Sequence, residues 1–243
     1  MSRLIAITIF LIVTIFFTIN AFWLQLAGHS TLEIINRLPI LFAPASFVYF
    51  IWFIVFIFLF LWIKNYWTLR QSEKFISTLQ TSIFIFILIL QIASLFSWHH
   101  EHFIQSIIFL GIQLISLFAL YLTYPLKMEM LKLRIPIAIY FSWTTFLFIL
   151  HFCYILVHTG WNGFGLSNAL WAVIIMTIGT AIALHLRYHH YDIAYPIIFI
   201  WCYIGIAIAN GFDELLVTTA ALFLTGVLIA GIFLMKKNPA RLN

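Results

Sequence analysis

A polytopic bundle of membrane-spanning α-helices is the fold class this sequence predicts, and three observations predict it. Of 243 residues, 65% are hydrophobic and only 8% charged, with a mean hydropathy of +1.12, a balance no water-soluble domain of this length carries. Apolar runs of 17 to 23 residues recur from end to end, each long enough to cross about 30 Å of hydrocarbon as a helix. The basic residues fall between these runs in an alternating pattern. Strands are excluded because the runs lack the alternating polar residues of a membrane β-barrel; backbone groups in hydrocarbon must then bond within each segment.

Eight spans are predicted, at residues 4–26, 41–63, 81–97, 103–124, 135–157, 170–186, 193–210 and 215–235. The first follows a basic start, and its apolar stretch is too long for a typical cleaved leader, so it reads as a retained helix. The second opens with "LFAPAS", where Pro44 is tolerated in a first helical turn because no internal bond is lost there. The third and fourth are joined by "WHHEH". The fifth begins near Pro136, and the last three carry small residues at four-residue spacing: Gly179 with Ala183, Gly205 with Ala209, Gly226 with Ala230. Small residues let helices approach closely in lipid, so these three are expected to form a tighter sub-bundle.

Charge tests the count. With the N-terminus in the cytoplasm, the inner segments hold Arg3; Lys64, Arg70 and Lys74; Lys127, Lys132 and Arg134; Arg187; and Lys236, Lys237 and Arg241, eleven of the twelve basic residues. Only Arg37 lies outside. Adding or removing one span scrambles this pattern, so both termini are expected in the cytoplasm. The formal charge of +5 therefore serves topology, and nucleic acid is not an expected partner. Cys153 and Cys202 lie inside apolar runs as buried small hydrophobes and form no metal or disulfide motif.

Chemistry is sparse. All seven acidic residues, Glu33, Glu73, Glu101, Glu129, Asp192, Asp213 and Glu214, fall in or beside loops. No carboxylate stands at mid-depth, which argues against a proton-coupled pump or an intramembrane aspartyl protease. No catalytic residue is assigned. His99, His100 and His102, with Glu101, are the weak candidates for a metal; a polar turn at the interface is the alternative, and no metal is expected. "HLRYHHYD", with His185, His189 and His190, reads as an interfacial loop. His151 sits in the outer part of the fifth span, with no second histidine at matching depth for bis-histidine haem.

Aromatic residues carry more. Among nine tryptophans, Trp23, Trp62, Trp67 and Trp98 sit where an interfacial belt places them, whereas Trp52, Trp143 and Trp201 lie deeper, each with an indole N–H that wants a partner. Ala45, Tyr49, Trp52 and Phe56 share one face of the second span. Pro136, Tyr140, Trp143, Leu147 and Leu150 share one face of the fifth. Two such faces meeting inside a bundle would line a flat, apolar cavity.

"APASFVYFIWFIVF" resembles the second-helix signature of the tryptophan-rich sensory protein family, also called translocator protein or peripheral-type benzodiazepine receptor, which reads P-P-x-W-x-F-x-x-x-W-x-x-x-Y. Pro44 and Trp52 match; Ser46, Val48 and Phe56 replace Trp, Phe and Tyr. "WTTFLFILH" is similar to the fifth-helix W-x-x-F-A-x-x-L-N: Trp143, Phe146 and Leu150 match, Leu147 and His151 replace Ala and Asn, and Ile139 stands where the family has proline. "INRLPILFAPAS" and, less specifically, "GWNGFGLSNALW" are similar to larger bacterial relatives with extra helices after the fifth. The resemblance covers residues 4–157, so residues 1–157 are expected to form a five-helix core and 158–243 a three-helix extension in the same membrane body.

What the resemblance implies is a bacterial cytoplasmic-membrane protein whose first connecting loop caps a pocket between helices. Such proteins bind porphyrins and other flat apolar ligands, act as sensors or transporters, and often form homodimers. Carried over by position, Trp52, Trp143 and Phe146 line the pocket and Pro44 sets its rim; Tyr49 and His151 are added as polar handles, with Phe56, Tyr140 and Leu150 on the same faces. The partners expected are the bilayer, a small lipophilic ligand and a second copy of the chain. No cofactor is expected to be required, porphyrin or haem being ligands. The alternatives are a membrane redox or lipid-modifying enzyme, and a non-catalytic subunit docking another membrane protein through the last three helices.

Overall fold

The computed structural model describes residues 1–25, 28–70, 75–125 and 130–235. Lys74, Lys127, Lys236, Lys237, Arg241, Glu73, Glu129 and the predicted end of the first span at Leu26 lie outside the described residues.

Every regular element among the described residues is helical. α1 (Ser2–Ile19) runs into a π turn at Asn20–Leu24; α2 (Thr31–Ile35) is a short loop helix; a 3₁₀ turn at Ser46–Phe50 leads into α3 (Ile51–Thr68). α4 (Thr78–His99), α5 (Phe103–Leu122), α6 (Leu131–His158), α7 (Asn168–His190), α8 (Ala194–Asn210) and α9 (Leu215–Leu234) follow. α1 and α3–α9 correspond in order to the eight predicted spans. Seven of these, with their flanking turns, are long and apolar enough to cross a membrane; α8, at 17 residues, is the shorter exception, about 25 Å at 1.5 Å per residue.

Contacts between helix ends confirm the up-and-down order. On the face that carries the N-terminus, Arg3 donates to the Ile76 carbonyl, Trp62 and Tyr66 donate to Tyr124 Oη, and Arg187 donates to the carbonyl of Ile232 at the end of α9. On the opposite face, Thr31 meets His99 and Arg37 pairs with Glu101.

Two boundaries differ from expectation for traceable reasons. The second span begins at Ser46, not at 41. Pro44 biases Ala43 away from helix, and residues 41–45 bond α8 instead: Ala45 N–H donates to the Gly205 carbonyl (3.0 Å) and Asn210 Nδ2 to the Leu41 carbonyl (3.0 Å). "HLRYHH" is not a loop: α7 continues to His190 and stops where Tyr191 turns left-handed at φ 57°, with Arg187 and Asp192 buried.

α6 is the most enclosed helix of the bundle, and it contains Pro136 in its second turn. Proline cannot donate to the carbonyl four residues earlier. That carbonyl, Lys132, accepts from Asn65 Nδ2 at the end of α3 (3.3 Å). Asn65→Leu is expected to cost about 0.5–1 kcal/mol, the low end for one hydrogen bond because the site is wet, read as a lower melting temperature in detergent.

The expected sub-bundle of α7–α9 forms, but its glycines work differently. A Cβ at Gly179 would lie 2.6 Å from Tyr203 Oη and 2.8 Å from Phe199 Cε1, both on α8. Gly205 faces away from the sub-bundle, against Val48 and Pro44, and Gly226 faces open space. Gly231, absent from the predicted pattern, meets Leu184 of α7.

Candidate functional site

α3 and α6 lie side by side and run in opposite directions, so residues one helical turn apart on each come to the same depth. Trp52 and Trp143 meet there edge to face, ring centroids 5.9 Å apart at 90°. Tyr49 lies against Trp143 (6.0 Å), Tyr140 against Trp52 (6.3 Å), Phe56 stacks on Trp52 (5.3 Å) and Phe146 on Trp143 (5.7 Å). Six of the nine residues singled out from the sequence thus form one contiguous cluster. Trp52, Trp143 and Phe146 have no accessible surface.

The other three stand apart. Pro44 is buried against Gly205 of α8, its Cβ 3.2 Å from where a Gly205 Cβ would sit. Leu150 is buried without a ring contact. His151 stacks on Trp98 of α4 at 3.9 Å, eight residues and about 12 Å along α6 from Trp143. It belongs to a second aromatic column of Trp98, Phe103, Tyr154 and His158 under the α4–α5 turn.

Two phenylalanines that the sequence reading passed over close the first cluster from above. Phe22, in the π turn after α1, lies against Tyr49 (5.6 Å) and Trp52 (6.0 Å). Phe42, in the connection before α3, stacks on Phe146 (5.2 Å). Phe42 also lines a cavity of about 270 Å³ with Leu41, Cys153, Trp161, Trp171 and Ile175. Their common signal was sequence position: both flank the first connection.

That connection is strapped down. Ser30 caps α2 by accepting from the Glu33 backbone N–H, while Glu33 accepts from the Ser30 N–H, a reciprocal capping box. The Ser30 bond holds the Glu33 carboxyl below its usual range. A carboxyl lowered on folding stabilises above its unfolded pKa, and that share is lost as pH falls through the lowered value. Thr31 Oγ1 donates to the Ala21 carbonyl (3.1 Å) and lies 3.0 Å from His99 Nε2, and Arg37 reaches Glu101 at 2.6 Å.

The polar atoms of the cluster divide into two groups. Tyr140 Oη is engaged, accepting from Gln113 Nε2 (2.8 Å), which also donates to Gln91 (2.8 Å). By contrast Tyr49 Oη, Trp52 Nε1 and Trp143 Nε1 are buried and have no hydrogen-bond partner. A buried donor left unpaired costs about 1–3 kcal/mol; the cluster holds three such groups, and Trp98 Nε1 and His151 Nδ1 of the second column are unpaired as well.

The outer histidines do not assemble. His99 is held at Thr31, His100 folds back on Phe96 with ring centroids 4.1 Å apart, and His102 stands at the start of α5 without a side-chain capping bond. Among the described residues no three His, Cys, Asp or Glu side chains group as a metal site.

Together these features define a multi-pass helical membrane protein with an aromatic interior between its second and fifth crossings, capped by its first connection. A family model described as TSPO-like protein matches residues 4–234. The chain belongs to that family, and the match runs beyond residue 157 through all three later helices. No curated protein and no solved structure matches it.

Proposed function

We propose that the protein is a membrane receptor or carrier that takes a flat, largely apolar ligand bearing hydrogen-bond acceptors between α3 and α6. The observation that carries this reading is the trio of unpaired donors, Tyr49 Oη, Trp52 Nε1 and Trp143 Nε1, in a cluster that is otherwise aromatic. Ring faces supply stacking and apolar burial without charge, and a few placed donors fix orientation. A porphyrin or similar tetrapyrrole combines a planar apolar body with acceptor atoms and is the first ligand to test.

Entry in this reading is from the face of the first connection. The cavity of about 270 Å³ beside Phe42 serves as a vestibule near the lower limit of small-molecule sites, about 300 Å³. Phe42 swings off Phe146 to admit the ligand to the cluster. In this reading the N-terminus lies in the cytoplasm of a bacterium, so the vestibule opens outward.

The test is a fluorescence titration of the purified protein with protoporphyrin IX. Saturable quenching of the tryptophans is expected, and it should develop faster, with no loss of amplitude, when Phe42 is replaced by Ala, because the ring that must move aside is gone. Quenching that rises linearly without saturation, as from unspecific partition into detergent, refutes a site.

A further inference from the structure

A groove of about 540 Å³ runs between α3, α6 and α8. Its walls are apolar, with Ile51, Ile54 and Phe58 from α3 and Ile197 and Trp201 from α8. Its lips open sideways onto the bilayer: Ile54 is 41% exposed and Ile197 49%. From Ile193 to Trp201 it extends about 12 Å along α8, close to the depth of one leaflet, half of the ~30 Å hydrocarbon core.

The end nearest the N-terminal face is charged. Arg134 lines it and is only 4% exposed. Its Nη1 donates to the Tyr124 carbonyl (2.8 Å) and its guanidinium carbon lies 4.2 Å above the Tyr121 ring, but Nη2 has no partner. Asp192 lines the same end, yet its carboxylate is used elsewhere: Oδ2 accepts from Tyr121 Oη (2.7 Å) and Oδ1 from the Tyr195 N–H (3.1 Å). No described carboxylate lies within salt-bridge distance of Arg134. A buried cation with no carboxylate in salt-bridge contact is costly, and here it stands at the charged end of an apolar groove.

We propose that this groove holds an anionic phospholipid from the leaflet on the N-terminal side, its phosphate on Arg134 and one acyl chain lying along α8. Guanidinium suits a phosphate because its fork of donors matches the oxygens. A lipid, unlike a soluble anion, reaches the groove through the hydrocarbon onto which it opens. α8 supplies one wall, so the site depends on the helices added after the fifth crossing. None of the six residues of the aromatic cluster lines it, although Ile51 and Ile139 each stand next to one in sequence.

Native mass spectrometry of the full-length protein, titrated with dioleoyl-phosphatidylglycerol or dioleoyl-phosphatidylcholine, tests this. One phosphatidylglycerol is expected to be retained at least tenfold more strongly than phosphatidylcholine, and inorganic phosphate at equal concentration should not displace it. Arg134→Met should abolish the preference. Because that variant also loses the Tyr124 bond, Ile197→Trp, which fills the groove and leaves Arg134 intact, should by itself reduce retention at least tenfold. Equal retention of the two lipids, displacement by phosphate, or unchanged retention in Ile197→Trp overturns the proposal.

Discussion

Gly205→Val is expected to destabilise the protein by about 3 kcal/mol or more and to prevent α8 from seating on the core. A Cβ at this position runs into Val48 and lies 3.2 Å from Pro44 Cβ. The backbones cannot slide apart to relieve it, because the Gly205 carbonyl accepts from Ala45 N–H at 3.0 Å. Replacing glycine inside a helix recovers up to about 1 kcal/mol of propensity with alanine, less with a β-branched residue. Overpacking a rigid contact costs about 1–3 kcal/mol for extra methylenes, and a whole isopropyl group driven into the Val48 and Pro44 side chains exceeds that recovery. Gly226→Ala is the matched control. Nothing lies within 4 Å of its Cβ position, so the propensity gain alone remains and the variant should be neutral or slightly more stable. Melting of both variants in detergent checks the opposed signs; a Gly205→Val protein as stable as wild type removes the close-approach argument.

Replacing Trp52 and Trp143 together separates ring from donor. The Phe pair keeps two aromatic walls and deletes two indole N–H groups that have no partner in the protein. With no bonded partner left stranded, the fold should lose little: the unpaired donors disappear while the smaller rings leave some void. Ligand binding should weaken about tenfold for each lost bond, close to 1.4 kcal/mol, so about a hundredfold for the pair. The Leu pair also removes the stacking surface at 5.9 Å contact and should abolish saturable porphyrin binding. Measured together by titration and melting, the two pairs give a clear outcome. Unchanged affinity in the Phe pair shows that the N–H groups do not meet the ligand; saturable binding in the Leu pair places the ligand outside the cluster.

The aromatic cluster shows how far helical periodicity reaches. Trp52 and Phe56 share a face of α3, as Tyr140 and Trp143 do of α6, because 3.6 residues per turn brings positions three and four apart together; Tyr49 joins them from the 3₁₀ turn that precedes α3. Their meeting was a further inference from span order and direction, and they do meet. His151, added by position and not by face, stands two turns higher than Trp143, where α4 rather than α3 is its neighbour. Pro44, carried over from the resemblance, precedes the helix and packs against α8.

Membrane insertion, span order and the placement of nearly every loop were determined by the sequence alone, since a 30 Å apolar layer filters for length and charge, and both are local properties of the chain. Which buried donors remain unpaired, which glycine touches which helix, and that Arg134 ends over the Tyr121 ring at one end of a groove were decided only in three dimensions. Those outcomes depend on side chains from helices far apart in sequence, such as Val48 with Gly205 and Tyr121 with Asp192. In a bundle whose surfaces are nearly all apolar, hydropathy does not discriminate one helix neighbour from another; shape and the satisfaction of a few polar atoms do.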